Sequence, residues 1–462
     1  MIKLFNTLSG KKEEFKPIKK GSVSMYHCGP TVYDYAHIGN LRSYVFADLL
    51  RRTLEAHDYE IKQVINITDV GHLSGDVDTG EDKMTKALKR EGKPLTLEAM
   101  LSLANFYAGK FKEDLTAMNI KIPNEMPKAS EHIADDIEII ERLEKKGFMY
   151  TTSDGIYFDT TKYPDYGKLG NRQKEETAGE TRIGTNNEKK SVRDFALWKF
   201  NRELGWDTPW GKGFPGWHIE CSAMARKYLG QPFDIHTGGI DHISIHHNNE
   251  IAQSECAYDT PLANIWMHNE FITVASGKMA KSEGNFLTLK SIKEKGFEPM
   301  VYRYWLLTGH YRSPLAFSLE TLEAARNAHR GLIAKLSSWL DNGMAHADYY
   351  KRFLAFVSDD LDTPRALALI WEITKDLNMS EADRRATILK CDAALGLSLE
   401  TEIKKHQEKL KAVPERVREL LRDRDLARAE KKWKEADLIR NKIQELGFLV
   451  KDGPDGSYLD LV

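Results

Sequence analysis

The strongest constraint on the fold is a polar loop at residues 26–40, with the sequence YHCGPTVYDYAHIGN. Apolar–polar alternation before this loop predicts a strand, and the apolar spacing of residues 41–52 predicts a helix. In α/β sheets such a junction lies at the carboxyl end of a strand, where ligands bind, and the N–H groups of the helix start suit a phosphate. Gly39 leaves room for a flat ligand ring, His37 can donate to a phosphate oxygen, and Cys28 can bind a metal. A tight turn with a buried histidine and a buried cysteine is the alternative.

The composition excludes several classes of protein. The net charge of -2 rules out a uniformly basic nucleic-acid binder, so any basic surface must be local. Four cysteines in 462 residues are too few for a disulfide scaffold and fit a reducing compartment, where thiols serve metals or chemistry. The first residues lack the apolar core of a signal peptide, and no apolar run of ~20 residues is present. We therefore expect a cytoplasmic protein of several domains that does not enter a membrane.

The sequence pattern changes along the chain and predicts separate parts. A second strand at residues 60–69 ends in polar residues, which should face the same edge of the sheet as His37. A more polar segment includes a predicted helix at 130–146, with Ser130 as its N-cap. The predicted parts are 1–120 and 201–270 as two halves of a parallel-sheet domain, 121–200 as an insertion, 271–317 with a lysine loop, 318–400 as a helical bundle and 401–462 as a charged helical tail.

Two stretches rich in histidine and cysteine indicate a metal site. His246 and Glu250 are four residues apart, so on a helix they share one face, as two ligands of one ion must. Zinc takes four N, S or O ligands, and Cys28 with Cys221 would complete such a set. On chemistry alone, other histidines compete for the same role, namely His218, His236, His242 and His247. Two buried cysteines with a surface His/Glu pair are the alternative.

A loop with two lysines between glycines occupies residues 277–285. Lys278 and Lys281 are three apart and would form a cationic loop that stabilises phosphate charge in a transition state. A solvated surface turn is the alternative for the same residues.

Taken together, these stretches resemble the cysteinyl-tRNA synthetases, a family of class I aminoacyl-tRNA synthetases. Residues 28–40 resemble the family's HIGH region, and residues 278–282 resemble its KMSKS motif. Further ordered matches are at residues 1–16, 194–199, 209–211, 216–224, 246–254, 304–313 and 359–367. The chain departs from the family pattern at three places: Asn40 at the end of HIGH, Ala280 at the middle serine of KMSKS, and a lengthened TDIDDK segment at residues 68–83.

The resemblance implies an α/β fold, with a Rossmann-type class I catalytic domain that carries an insertion, then a helical bundle and a small C-terminal anticodon-binding domain. It also implies a monomeric cysteine–tRNA ligase that acts in two steps. The carboxylate of L-cysteine attacks the α-phosphate of ATP, and the terminal ribose of tRNA(Cys) then attacks the cysteinyl-adenylate. Mg²⁺ accompanies ATP, and one Zn²⁺ per chain takes the substrate sulfur as thiolate, which favours cysteine over serine without an editing domain.

The resemblance also implies roles for individual residues. The expected catalytic residues are His37, Asn40, Lys278 and Lys281. The expected ATP contacts are the same four residues with Gly39, Gly238, Gly239 and Asp241. The expected amino-acid contacts are Gly29, Thr68, Trp217 and His236, and the expected zinc ligands are Cys28, Cys221, His246 and Glu250. The expected anticodon contacts are Arg428, Trp433 and Asp437, all on or beside one predicted helix at residues 415–446.

Two other functions fit part of the sequence. A cysteine–amino-sugar ligase of the same ancestry would share the zinc set and both nucleotide motifs, but it would lack the C-terminal tail. A non-catalytic nucleotide- or zinc-binding regulator would not need both lysines beside an intact HIGN. Cysteine-dependent pyrophosphate exchange separates an enzyme from such a regulator.

Overall fold

The computed structural model describes residues 1–70, 83–174, 188–274, 277–278, 287–453 and 456–461. The chain separates into two compact units: the first is Met1–Leu322 with Arg352–Ala368, and the second is Glu323–Lys351 with Leu369–Val462. Over the described ranges, every helix is too short or too polar to cross a lipid bilayer.

Strands and helices alternate along most of the first unit, whereas helices dominate the second. The strands are β1 (Lys3–Asn6), β2 (Lys11–Glu14), β3 (Ser22–His27), β4 (Glu60–Ile65), β5 (Met149–Thr152), β6 (Gly155–Phe158), β7 (Phe195–Phe200), β8 (Gly213–Pro215), β9 (Phe233–Gly239), β10 (Ala263–Asn269), β11 (Ile272–Val274), β12 (Gly277–Lys278), β13 (Leu315–Ala316), β14 (Phe448–Gly453) and β15 (Gly456–Leu461). The helices are α1 (Ile38–Glu55), α2 (Lys83–Arg90), α3 (Leu97–Ala117), α4 (Ile133–Lys145), α5 (Trp217–Leu229), α6 (His246–Tyr258), α7 (Leu289–Glu294), α8 (Pro299–Leu307), α9 (Leu319–Ser337), α10 (Ala347–Val357), α11 (Thr363–Ile373), α12 (Glu381–Leu395), α13 (Leu399–Lys411), α14 (Glu415–Ala429) and α15 (Trp433–Glu445).

The centre of the first unit is a parallel sheet of four strands in the order β10-β9-β3-β4. Its core is apolar and includes Val23, Met25, Phe46, Leu50, Ile235, Ile265 and Met267. β3 pairs with β4 on one side and with β9 on the other, where His27 lies opposite Thr237. The strand order therefore reverses between β3 and β9, which places a ligand crevice at their carboxyl ends. The predicted α/β class and the predicted strand–loop–helix junction are confirmed.

An antiparallel sheet in the order β5-β6-β7-β8 lies between β4 and β9 in the chain. α4, α5 and α6 contribute to its core, which includes Ile139, Ile140, Leu143, Ile156, Phe158, Phe195, Trp198, Ile219 and Ala252. The predicted start of the helix at 130–146 is wrong, because α4 begins at Ile133. Ser130 is not its N-cap: the Ser130 N–H and hydroxyl donate to the carboxylate of Asp69 at 2.9 and 2.6 Å. This serine therefore fixes the chain that follows β4.

The C-terminal part of the second unit is a helical hairpin and a β-hairpin with a core of their own. α14, α15 and β14 surround Val413, Val417, Leu420, Ile443 and Val450. The single helix predicted at 415–446 is wrong, because the chain turns between α14 and α15. Lys431 has a φ of 59°, and the Lys432 N–H donates to the Ala427 carbonyl at 2.8 Å. This turn means that Arg428 and Trp433 belong to different helices.

Candidate active site

A cavity of about 410 Å³ lies where β3 and β9 end. Its wall includes the loop after β3, the first turn of α1 and the first residue of α5. Eight of the residues expected to bind ATP, cysteine or metal are in this wall: Cys28, Gly29, His37, Gly39, Asn40, Trp217, Gly239 and Asp241. The structure therefore brings segments that are far apart in the sequence into one site.

The first turn of α1 is closed by a reciprocal cap. The Asn40 N–H donates to Nδ1 of His37 at 3.1 Å, and the His37 N–H donates to the side-chain oxygen of Asn40 at 3.3 Å. Because Nδ1 accepts, the proton of a neutral His37 ring is on Nε2. The Tyr302 hydroxyl holds the next residue by donating to the Ile38 carbonyl at 2.8 Å. The departure from HIGH at Asn40 thus has a structural role in this cap.

Gly29 lies where the chain leaves no space for a side chain. A Cβ atom there would lie 1.5 Å from the carbonyl oxygen of Asn66. The Gly29 N–H donates to the side-chain oxygen of the same asparagine at 2.7 Å. This close contact holds the loop after β3 against the end of β4, and so it fixes the position of Cys28.

Four buried donors meet at one point beside the cavity. Cys28 follows β3, Cys221 is on α5, and His246 and Glu250 are four apart on α6. One ligand atom from each of the four lies within 4.8 Å of the others, and all four residues are buried. The Cys28 sulfur is 4.0 Å from that of Cys221 and 3.6 Å from Glu250 Oε1, and His246 Nε2 is 3.0 Å from the same oxygen. This cluster could hold a metal ion.

A second donor set overlaps the first and includes two of the competing histidines. It consists of Cys28, His236, His247 and Glu250. His236 Nε2 is 2.8 Å from Glu250 Oε2, and His247 Nε2 is 3.3 Å from the Cys28 sulfur. The far side of His247 contacts His268, whose other nitrogen contacts the Thr7 hydroxyl at 2.8 Å. The two sets share Cys28 and Glu250, so a single ion would use one set while the other histidines orient the shared ligands.

The electrostatics of the cluster favour charge on Glu250, Cys221 and His246, whereas burial raises the pKa of the Cys28 thiol and keeps it neutral. Burial opposes the charge of Glu250, but its interactions with His236 and His246 hold its pKa well below its usual range. Burial also opposes a Cys221 thiolate, but hydrogen bonds with Cys28 and His246 lower the pKa of Cys221 to about 6. Burial opposes a positive charge on His246, but interactions with Cys221 and Glu250 raise its pKa to about 10. Glu250 and Cys221 therefore take the ionised forms that bind metal ions, whereas Cys28 and His246 would each release a proton when an ion binds.

Three expected contacts are buried and lie outside the cavity wall. Thr68 donates to Glu220 Oε2 at 2.8 Å, and both residues are buried. His236 contacts Glu250 as described, and its ring stacks on Trp266 with a centroid separation of 4.3 Å. Gly238 is also buried, and a Cβ atom there would lie 2.7 Å from ring atoms of both His242 and His247.

The lysine loop is described only in part. Lys278 is in β12, where its backbone pairs with Thr273 of β11. Lys281 and Ala280 lie outside the described residues.

Several residues of the wall had no role assigned from the sequence. They are Tyr33, Tyr35, Lys83, Tyr107 and Phe111. Tyr107 and Phe111 are on α3, where their spacing is that of ordinary core positions of a helix. Only the fold brings this helix to the loop after β3.

The expected anticodon residues are on the surface of the second unit. Trp433 is 57% exposed at the first position of α15, so it is not packed in the bundle. Asp437 is exposed and borders a shallow groove with Arg440 and Gln444. Arg428 forms an ion pair with Asp452 on β14.

The fold and the catalytic region define the class of protein. A family model described as tRNA synthetases class I (C) catalytic domain matches residues 14–327. One similar structure is Mycobacterium tuberculosis methionyl-tRNA synthetase in complex with methionyl-adenylate, with a TM-score of 0.55, 15% identity, and coverage of 84% of this chain and 92% of that chain. Another is the LeuRS–tRNA–LeuAMS complex of Agrobacterium radiobacter K84, with a TM-score of 0.59, 11% identity and 85% of each chain covered. The chain has the fold of a class I aminoacyl-tRNA synthetase.

Sequence relatives narrow this class to one family. A model of the cysteinyl-tRNA ligase anticodon binding domain matches residues 410–459. Cysteine–tRNA ligase 1 of Burkholderia lata is 47% identical over 464 residues, which cover 99% of this chain and 96% of the relative. The cysteine–tRNA ligase of Treponema denticola is 42% identical over 486 residues, with 98% of each chain covered. The chain belongs to the cysteine–tRNA ligase family, and its anticodon-domain match disfavours the amino-sugar ligase alternative.

Proposed function

We propose that the protein activates L-cysteine with ATP and transfers it to the 3′ end of tRNA(Cys). The observation that carries this proposal is one cavity with the N-terminus of α1 in its wall and Cys28 of the buried donor cluster beside it. Neither step needs a protein nucleophile. Catalysis then rests on positioning the reactants and on stabilising charge.

The phosphates of ATP would bind at the first turn of α1. Its backbone N–H groups carry a partial positive charge, and Nε2 of His37 would donate to a phosphate oxygen. Asn40 keeps the ring in this orientation through the cap. Gly39 would let the nucleotide approach the backbone. Lys278 and Lys281 would stabilise the leaving pyrophosphate, with Mg²⁺ accompanying the nucleotide.

The nucleoside would bind at the end of β9. Gly238 and Gly239 end this strand, and Asp241 follows in the cavity wall. A carboxylate has two oxygens that can accept from the two hydroxyl groups of a ribose. We therefore assign Asp241 to the ribose and Gly239 to the close approach of the sugar, and we propose that Gly238, behind the wall, acts through the backbone that precedes Gly239.

The amino acid would bind between the cavity and the cluster. Gly29 and Trp217 are in the wall and would contact the substrate directly. Thr68 and His236 are behind the wall, so we propose that they act by orienting neighbouring carboxyl groups. His236 does so for Glu250 through the 2.8 Å contact.

The donor chemistry of the cluster fits zinc. Two thiols, an imidazole and a carboxylate are the ligand types that four-coordinate zinc takes. We assign them to Cys28, Cys221, His246 and Glu250. When bound, the ion would take the sulfur of the substrate as thiolate, which a serine hydroxyl cannot match because it stays protonated. Cysteine would then be distinguished from serine at the binding step, through the ion that these four residues would hold.

The C-terminal domain would bind the anticodon of tRNA(Cys). The exposed ring of Trp433 supports a stacking role, since single-stranded bases stack on aromatic side chains. Arg428 and Asp437 would contact base edges, the first as a donor pair and the second as an acceptor. We also propose a cytoplasmic monomer with the six parts given above as its functional divisions.

The experiment compares charging of tRNA with labelled cysteine and labelled serine, with and without a metal chelator. We expect about one zinc per chain, cysteine-dependent pyrophosphate exchange, and loss of exchange when the metal is removed. Cys221→Ser should lose both zinc and exchange. Cys256→Ser is the matched control, because Cys256, on α6, is buried like Cys221 but is in neither donor set. Normal exchange by metal-free protein would contradict the proposed zinc role.

A further inference from the structure

The outer edge of the cavity carries three aromatic rings in contact. Tyr35 and Tyr107 meet edge to face at a centroid distance of 5.3 Å, and Tyr107 and Phe106 do so at 5.2 Å. The first two line the cavity, and Phe106 continues the row outwards. Phe106 is 50% exposed and Tyr35 is 37% exposed, although both are large apolar groups. We call Tyr35, Tyr107 and Phe106 the aromatic rim.

Polar contacts fix the rim to the loop after β3. Arg90 at the end of α2 donates to the carboxylate of Asp34 at 2.8 Å, to the Tyr33 carbonyl at 3.1 Å and to the Tyr107 hydroxyl at 3.1 Å. The Tyr107 hydroxyl donates in turn to Glu91 at 2.6 Å. The rim is therefore a preformed surface whose position is set relative to the cavity.

The residues around the rim carry both signs of charge, with basic residues in excess. Arg90 pairs with Asp34 and Glu91, and Lys93 pairs with Glu91. Within residues 83–93, one acidic residue, Glu91, accompanies five basic residues, namely Lys83, Lys86, Lys89, Arg90 and Lys93. On α3, the Lys110 ammonium lies 5.7 Å from the Phe106 ring centre and forms an ion pair with Glu113. Exposed rings beside basic side chains are the usual means by which proteins hold single-stranded nucleic acid.

We propose that the aromatic rim is the docking surface for the single-stranded 3′ end of the tRNA, with a base stacked on Phe106. This inference rests on the proposed function and deepens it. The terminal ribose must reach the adenylate, so the nucleotides before it must cross an edge of the cavity. Phe106 lies outside the wall of the cavity, so a nucleotide or amino acid enclosed there does not use it. Continuity with the cavity and the positive charge both favour a polyanionic strand as the occupant.

The test uses the full-length enzyme with Phe106→Ala, Phe106→Leu and Phe106→Trp. Loss of one stacked base should lower the single-turnover rate of transfer to tRNA, at subsaturating tRNA, by roughly tenfold or more, with pyrophosphate exchange unchanged. The leucine variant should be as slow as the alanine variant, because it keeps an apolar side chain but has no ring. The tryptophan variant should retain transfer. Ile18→Ala is the matched control, since Ile18 is 51% exposed and precedes β3 at the opposite end of the sheet.

A second measurement changes the tRNA instead of Phe106. A tRNA without its unpaired 3′ nucleotides should bind the wild type and Phe106→Ala equally, whereas intact tRNA should bind the wild type more tightly. Equal transfer by the wild type and the alanine variant overturns the inference, and so does full activity of the leucine variant. An equal fall in exchange also overturns it, because the ring would then act on the adenylate site. A wild-type enzyme without exchange would instead refute the proposed function.

Discussion

The buried carboxyl group of Asp136 should destabilise the first unit, and replacement of this residue should raise the free energy of unfolding. The residue lies on the apolar face of α4, in register with Ile133, Ile140 and Leu143, and is fully buried. Among the described residues, neither of its carboxylate oxygens has a hydrogen-bond partner. Burial, and then the charges of Asp135 and Cys221, raise its pKa well above the usual range.

The magnitude follows from this burial. An unpartnered buried polar group costs about 1–3 kcal/mol, so Asp136→Leu should raise the free energy of unfolding by roughly that amount at neutral pH. The folded-state pKa is above that of the unfolded chain, so the native protein binds more protons and its stability falls as pH rises between the two values. Asp136→Asn should abolish this fall. Its advantage over the wild type should be small near pH 4 and should increase towards neutral pH.

Urea unfolding followed by tryptophan fluorescence measures this effect, because Trp198, Trp206 and Trp210 pack in or against the same core as α4. Glu138→Gln is the control: its carboxylate is exposed on the same helix and pairs with Arg142, and such surface pairs contribute at most about 1 kcal/mol. If the asparagine variant and the wild type keep a constant difference between pH 4 and pH 8, the reasoning fails. Loss of pyrophosphate exchange in a stable Asp136→Asn protein would also refute it, since the carboxyl group would then be functional.

Three further predictions concern catalysis, tRNA binding and stability. Lys278→Ala and Lys281→Ala should each slow adenylate formation by roughly 10²-fold with little change in cysteine binding, and an unchanged pre-steady-state rate would contradict this. A chain that ends at residue 411 should keep pyrophosphate exchange but lose tRNA charging, and undiminished charging by this chain would refute the anticodon role. Arg428→Ala should cost about 1–3 kcal/mol of discrimination at one anticodon base. Asp48→Leu should destabilise the fold by about 3–5 kcal/mol, because it leaves Arg303 buried without its carboxylate. Burial opposes the charge of Asp48, but Arg303 lowers the pKa of this carboxyl group. The stabilisation by the ion pair should therefore be lost as the pH falls into the acidic range, and urea unfolding at several pH values measures this loss.

The sequence predicted the fold where local pattern and ligand chemistry agree. The junction after β3 was predictable because alternation, a polar loop and helical spacing follow one another. The turn at Lys431 was not, because Lys and Glu favour helices and no Gly or Pro marks the break. Ser130 is a common N-cap residue, but it binds Asp69, and that contact depends on the tertiary fold.

For the site, the separation of helical ligands could be predicted, but the packing between elements could not. His246 and Glu250 share a face because of helix geometry alone. The second donor set requires His236 of β9 to meet α6, and no local pattern encodes that meeting. The aromatic rim was missed for the same reason, since its rings come from a loop and a helix that only the fold brings together.

The residues of the buried donor cluster are synthesised at different times, because they are far apart in the chain. Cys28 and Cys221 are 193 positions apart, and Glu250 is synthesised last. A nascent chain that ends before Glu250 holds an incomplete set, whereas one that has released α6 from the exit tunnel can assemble all four donors. β9 and β10 directly flank α6 in the chain, so the parallel sheet and the donor set are completed at nearly the same stage of translation. Metal binding can be measured on stalled nascent chains of increasing length. The shortest chain that binds an ion would then show at which length the donor cluster of the first unit is assembled.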